Sequence, residues 1–488
     1  MGSTGKPSRG WVRRSLRSML VIAILAGVSA LDAGRGAATT AGDLSSSGGR
    51  ATAQKPNIVL ILSDDQRWDT QWAMPNVRSM IVRKGVEFTD AYVVNPLCCP
   101  SRTTILTGLY SHSTGVYTNE APHGGFTAFH DRVTIATRLD ARGYTTAMIG
   151  KYLNEYRPAA LQGYRPPGWD RWVAFAEDNG KYVDYDLTID GRIRHYDEAV
   201  ADYSTDVLGD YADSFIRHAR GPLFLYFAPT APHDPATPAA RDRDTFQNLA
   251  PYRGRAFNEA DVSDKPRWAQ RPPLTPQGIS NINWFRRSQY RSLLSVDRAV
   301  ARIVHALADT GRLRNTLLVY MSDNGFMWGE HRLTNKQAPY EESIRVPMAI
   351  RYDRAGIAPH RDAHLALNLD LAPTFAAAAG TTMPNAAGRN LLPLMRDQAH
   401  TAWRSEFLVE HAMSSQKVPI PSYVALHTDH SVYVLYSTGA QEYYDLANDP
   451  FQLQNLVHRA AVREIVRRMR TRVLGWARPL PPGFPDLS

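Results

Sequence analysis

Two adjacent cysteines, Cys98 and Cys99, are the only ones in the chain, and they open the run Cys98-Cys99-Pro100-Ser101-Arg102 that continues to Thr107-Gly108. Neighbouring cysteines reach disulfide geometry only with strain, so a structural bridge does not explain them. Two further pairs, Asp64-Asp65 and Asp323-Asn324, each follow an apolar run and offer only oxygen donors. Hard divalent cations such as Ca²⁺ or Mg²⁺ take donors of that kind. Either pair alone reads more naturally as a solvated turn; it is their occurrence together with the cysteine run that favours a metal. No histidine cluster or spaced thiolate pair accompanies the carboxylates, which argues against transition metals. Arg102 adds a planar, permanently charged fork that matches a tetrahedral oxyanion. Pro100 suits the first position of a short helix, which would put Cys98 at a helix N-terminus where backbone N–H groups favour an anion.

The spacing Cys-x-Pro-Ser-Arg followed by Leu-Thr-Gly resembles the signature of type I sulfatases, in which the first cysteine is oxidised to formylglycine. The likeness extends through Lys55-Pro56-Asn57-Ile58-Val59, Asp64-Asp65, Gly150-Lys151, Ala231-Pro232-His233, Ser322-Asp323-Asn324-Gly325, Gly329-Glu330-His331, Lys336, Tyr340-Glu341 and Arg345-Val346-Pro347. Tyr444-Asp445-Leu446, Asp449-Pro450 and Asn455-Leu456 continue it, so it covers about 55–460. The resemblance implies an alkaline-phosphatase-like fold. It also implies that Asp64, Asp65, Asp323, Asn324 and modified Cys98 hold Ca²⁺, with Mg²⁺ as the alternative. By the same likeness, Arg102 and Lys151 steady the formylglycine, while His233 and Lys336 contact sulfate and the leaving oxygen. A formylglycine-generating enzyme is the implied maturation partner. In the implied cycle one hydroxyl of the formylglycine hydrate, acidified by the metal, attacks sulfur, and the other later expels sulfate.

One departure stands out. Many sulfatases read Gly-Lys-Trp-His, whereas Lys151 is followed here by Tyr152-Leu153-Asn154-Glu155-Tyr156. That variant, with Gly168-Trp169, Lys181-Tyr182 and residues 202–208, resembles the N-acetylglucosamine-6-sulfatase branch. Asn154 is thus a candidate substrate contact or an ordinary turn residue, and His331 a candidate substrate contact or a solvated loop residue. Cys99 reads as a small buried hydrophobe. The expected activity is hydrolysis of the 6-O-sulfate of N-acetylglucosamine in sulfated glycans. A broad arylsulfatase, a phosphate mono- or diesterase on the same scaffold, and a non-catalytic sulfated-glycan binding protein are the alternatives.

Strands must deliver these residues. Short apolar runs at 57–62, 145–149, 223–228 and 316–321 end beside Asp64, Lys151, His233 and Asp323, as strands buried on both faces would. Helical patterns over 133–141, 203–219 and 290–309 alternate with them and close at glycines. The expected fold is therefore α/β, a large mixed, mostly parallel sheet flanked by helices, with chemistry at the strands' carboxyl ends. Residues 234–289, rich in Pro and Arg, read as a long substrate-facing excursion. Beyond about 400 the pattern changes to short strands and one helix near 460–474, a smaller α+β unit with a short antiparallel sheet. The expected division is thus a catalytic domain over 55–400 and a C-terminal domain over 401–488.

Basic residues, an apolar run and small residues within 1–30 read as a signal peptide, and 31–54 as a flexible leader. The apolar run is too short for a stable membrane span. The expected destination is periplasmic or extracellular. No Asn-x-Ser/Thr acceptor occurs, which favours a bacterial source. The net charge of +9 falls by five on loss of Lys6, Arg9, Arg13, Arg14 and Arg17, leaving a mildly basic protein suited to anionic substrates. No like-charge block or Arg-rich tail of the nucleic-acid-binding kind is read in the sequence.

Overall fold

Ten strands form one sheet because their apolar runs have two faces to bury. The structure, a computed structural model, describes residues 54–159, 161–176, 180–397, 399–414 and 419–485. The expected signal peptide and all of the leader before Gln54 lie outside them. The strands are β1 (Asn57–Ser63), β2 (Val86–Phe88), β3 (Thr145–Gly150), β4 (Arg171–Phe175), β5 (Tyr185–Ile189), β6 (Arg192–Tyr196), β7 (Leu223–Ala228), β8 (Thr316–Ser322), β9 (Met348–Arg351) and β10 (His360–Asp362). Their order is β10-β2-β9-β8-β1-β7-β3-β4-β5-β6. The central strands β8-β1-β7-β3-β4 run parallel. Antiparallel pairing enters at β9 and at β5 and β6. Leu60 sits opposite Tyr226 on one side and Val319 on the other, which fixes the register of the middle three.

Alternation along β1 builds both layers of the core. Ile58, Leu60 and Leu62 face a layer with Cys99, Ile105, Leu139 and Phe375, carried by α1 (Cys98–Thr107), α2 (Ile135–Asp140) and, later in the chain, a helix at Leu371–Ala378. Val59 and Ile61 face the opposite layer with Leu208, Val296 and Ile303, carried by α3 (Ser204–His218) and α4 (Pro276–Asp309). Polar ends of the parallel strands then gather at one rim, as open α/β sheets require.

Two boundaries differ from the expectations. The α4 helix starts at Pro276, not near Tyr290: the Thr275 side chain accepts a hydrogen bond from Gly278 N at 3.1 Å and Pro276 occupies the first turn. The excursion therefore ends at residue 275, and Trp284 rides on a helix. Likewise α1 begins at Cys98, with Pro100 inside its first turn.

The C-terminal strands Glu406–His411, Tyr423–Thr428, Ser431–Tyr436 and Gln441–Asp445 form an antiparallel meander. Their core, including Phe407, Leu426 and Tyr433, is continuous with Tyr92, Val94, Tyr340 and Leu367 of the larger part. The final helix, Arg463–Trp476, buries Met469 and Val473 in the same core. Its arginines, interleaved with apolar residues in sequence, share the solvent side once helical, so an arginine-rich surface exists that the sequence reading did not find. No helix among the described residues is long and apolar enough to cross a membrane.

Candidate active site

The carboxyl ends of β1, β3, β7 and β8 converge on Cys98. Asp64 and Asp65 leave β1, and Asp65 adopts φ 64°, a left-handed conformation that Asp tolerates better than most residues. In an extended chain two successive side chains would diverge. This turn directs both carboxylates to one site. At the end of β3, Gly150 has φ 122°, and a Cβ there would lie 2.0 Å from Ala228 O. Only glycine permits that approach, through which Lys151 N donates to Ala228 O at 2.8 Å and the lysine enters the site.

Asp64, Asp65, Cys98 and His233 each offer a ligand atom within 4.8 Å of the others. Asp323 and Asn324 join them: Asp65 N donates to Asp323 Oδ1 at 3.1 Å, and Asn324 Nδ2 donates to Asp65 Oδ1 at 2.7 Å. Asn324 Oδ1 is buried and receives no hydrogen bond. Three cations enclose the three carboxylates. Arg102 Nε donates to Asp323 Oδ2 at 2.8 Å, with Nη2 3.5 Å from Asp64 Oδ2 and Nη1 donating to Lys151 O at 2.6 Å. Lys151 Nζ donates to Asp64 Oδ2 at 2.5 Å. Lys336 Nζ pairs with Asp65 and lies 2.8 Å from Cys98 Sγ. It is held there by a loop whose flanking residues, Asn335 and Gln337, have φ of 82° and 80°.

Burial sets the electrostatics. On its own it would raise the Asp64 carboxyl, but Lys151, His233, Arg102 and Lys336 pull it well below the usual carboxylate range. Asp323 is pushed up to about 6 by burial and by Asp64, against the pull of Arg102. Burial would discharge Lys151 and Lys336, but Asp64 and Asp65 respectively, with Cys98, raise both. Burial lowers His233 in spite of the nearby Asp65 and Asp64. The Cys98 thiol is pushed up to about 12 by burial and Asp64, so it is a poor nucleophile as a thiol.

The remaining expected residues divide. Asn154 lines a cavity of about 800 Å³ together with Asp65, His233 and Lys336. Leu153, at the place of the missing histidine, is buried in the core beside Tyr152. His331 is not a lining residue of this cavity. It is fully buried, its Nδ1 lies 2.6 Å from Glu259 Oε2, and its ring packs 4.3 Å from that of Tyr340. His331 is thus placed away from the cavity lining, held inward by Glu259 from the excursion. Cys99 points into the core as expected.

The N-terminus of α1 also offers less to an anion than anticipated. Cys99 N donates to Asn119 Oδ1 at 2.8 Å, Ser101 N to Leu97 O at 3.0 Å, and Pro100 has no N–H. Asn119 also lines the cavity, as do Trp284, Phe326 and Trp328. No motif in the sequence marks these four.

A family model for sulfatases matches residues 56–381. The chain belongs to the sulfatase family. The C-terminal model of N-sulphoglucosamine sulphohydrolase matches residues 329–478 of this sulfatase. N-acetylglucosamine-6-sulfatase of Homo sapiens is 35% identical to it over 391 residues, covering 76% of this chain and 70% of that one. N-acetylglucosamine-6-O-sulfatase of Bacteroides thetaiotaomicron is 28% identical and covers 83% of each. A solved structure described as a complex with its substrate D-glucosamine-2-N,6-O-disulfate matches the fold with a TM-score of 0.77 at 24% identity, covering 87% of this chain and 98% of that one. The sulfatase is a sulfuric ester hydrolase with the alkaline-phosphatase-like architecture, and its relatives include the N-acetylglucosamine-6-sulfatase branch.

Proposed function

We propose that this sulfatase is an exported enzyme that removes the 6-O-sulfate from N-acetylglucosamine residues of sulfated glycans. Cys98, as formylglycine, and a divalent cation, Ca²⁺ or Mg²⁺, serve it. Asp64, Asp65, Asp323, Asn324 and modified Cys98 are the proposed ligands. The observation that carries the reading is the charge inventory around Cys98: three buried carboxylates already face three buried cations. The oxygen donors and the unbonded Asn324 Oδ1 suit a hard cation. Adding two positive charges would leave the site in excess for a sulfate anion. When bound together, the cation and the formylglycine hydrate would supply the attacking oxygen.

The chain's own residues account for the rest. Arg102 is fully buried, and its bonds to Asp323 and Lys151 O hold the floor rigid. Lys336 and His233 belong both to the buried cluster and to the cavity wall. They are the groups proposed to hold the sulfate oxygens and to protonate the leaving alcohol. Asn154, at the rim, is proposed to hold the sulfated sugar.

The cavity supports a sugar as the alcohol. Trp284, 57% exposed, with Phe285, Phe326 and Trp328, makes an aromatic wall facing Asn119 and Asn154. An indole face suits the C–H face of a pyranose, while the amides suit its hydroxyls. Trp284→Ala is expected to raise KM about fivefold with little change in kcat, the equivalent of about 1 kcal/mol for one stacked ring. Steady-state kinetics on a sulfated glucosamine check this. The reading itself is tested by sulfate release from 6-O-, 2-O- and N-sulfated glucosamines. Preference for the 6-O-ester supports it; faster release from either other position overturns it.

A further inference from the structure

The last helix and its flanks carry a large share of the chain's surplus charge. The twenty residues from Arg459 to Arg478 contain seven arginines against one acid, Glu464. That excess of six stands out in a chain whose formal net charge is +9. Met469, Val473 and Ala477 fasten the helix to the C-terminal sheet. Arg463, Arg467, Arg468, Arg470 and Arg472 are all exposed. Arg467 pairs with Glu464 at 2.6 Å, and Arg472 with Glu406 at 2.7 Å. Among the described residues, Arg463, Arg468 and Arg470 form no salt bridge. At the C-terminal end of the same helix Thr471, Arg472, Gly475 and Trp476 line a groove of about 490 Å³, with the Arg472 guanidinium 5.2 Å from the Trp476 ring.

The helix end is tied to the part of the chain that supplies the cavity. The Trp476 ring packs edge-on against Tyr110 at 5.9 Å, and Tyr117 OH donates to Pro479 O at 3.5 Å. Tyr117 stands two residues before Asn119, which lines the cavity. Arginine side chains in a row at helical spacing, beside a groove with an aromatic flank, match closely spaced sulfate groups on a stiff sugar chain.

We propose that the arginine face of the helix at Arg463–Trp476 is a docking surface for the unreacted part of a sulfated polysaccharide. This rests on the reading of the substrate as a sulfated glycan and adds that the glycan is a polymer. Docking there raises the local concentration of esters at the cavity without touching the bond that breaks.

The test compares the full-length wild type with the triple variant Arg463→Gln, Arg468→Gln, Arg470→Gln on an immobilised sulfated polysaccharide under a NaCl gradient. The variant is expected to elute at lower salt. The slope of log affinity against log salt should shrink by about 2, taking the single-strand coefficient for three lost charges. Its kcat/KM on a sulfated monosaccharide is expected to equal that of wild type, and on the polymer to fall several-fold. Unchanged elution overturns the proposal. So does equal wild-type retention on DNA of matched charge, since that marks an indiscriminate polyanion surface. If the wild type binds the polysaccharide in this salt-dependent way but frees no sulfate from it, the docking surface stands and the catalytic reading falls.

Discussion

Cys98→Ala is expected to cut sulfate release by at least about 10⁴-fold, the scale on which enzymes lose rate when a covalent nucleophile is removed. The fold should survive. Cys98 is a small, fully buried side chain, and trimming one sulfur costs about 1 kcal/mol on the scale of small core deletions. Cys99→Ala provides the control, because Cys99 is equally small and buried but packs in the core layer beneath β1, away from the polar cluster. It is expected to lose a similar amount of stability and almost no activity. Sulfate release and thermal midpoint, measured on both variants, separate the two roles. Equal losses of activity would instead indicate that the thiols act as a pair.

Asp64→Asn should have the second largest effect, through the cation and not through shape. The substitution keeps the volume but removes the charge that faces Lys151 at 2.5 Å and Arg102 at 3.5 Å. Both cations are buried, so leaving them under-compensated is expected to cost about 3 kcal/mol of stability. Loss of an outer-shell partner alone lowers metal affinity about 10- to 100-fold; loss of a direct ligand should exceed that and take the rate down with it. Calorimetric Ca²⁺ titration of wild type and variant checks the first part, and sulfate release the second. An undiminished affinity would remove Asp64 from the ligand set.

The strand ends were legible in the sequence because apolar runs as short as Leu223–Ala228 suit a doubly buried strand better than a helix, and a parallel sheet gathers the carboxyl ends of its strands at one rim. Asp64, Lys151, His233 and Asp323, which follow the ends of such runs, are therefore readable as neighbours on that rim. The first turns of α4 were not legible, since prolines and arginines around Thr275 obscured the cap that starts the helix. The burial of His331 was not legible for a different reason: its contact is with Glu259, 72 residues earlier, and no local pattern encodes that pairing. The same holds for Trp284, whose exposure depends on where a long helix happens to cross the rim. The arginines of the last helix form no unbroken block, since Glu464 and the apolar residues Ile465, Val466 and Met469 interrupt them, and only helical winding brings all five to the surface.

The central claim is that position 98 works as an aldehyde and not as a thiol. Mass spectrometry of the peptide spanning residue 98, taken from a preparation that is releasing sulfate, tests it most directly. Formylglycine at that position in proportion to the measured activity is the predicted result. A fully active preparation that still carries unmodified cysteine there would contradict the account.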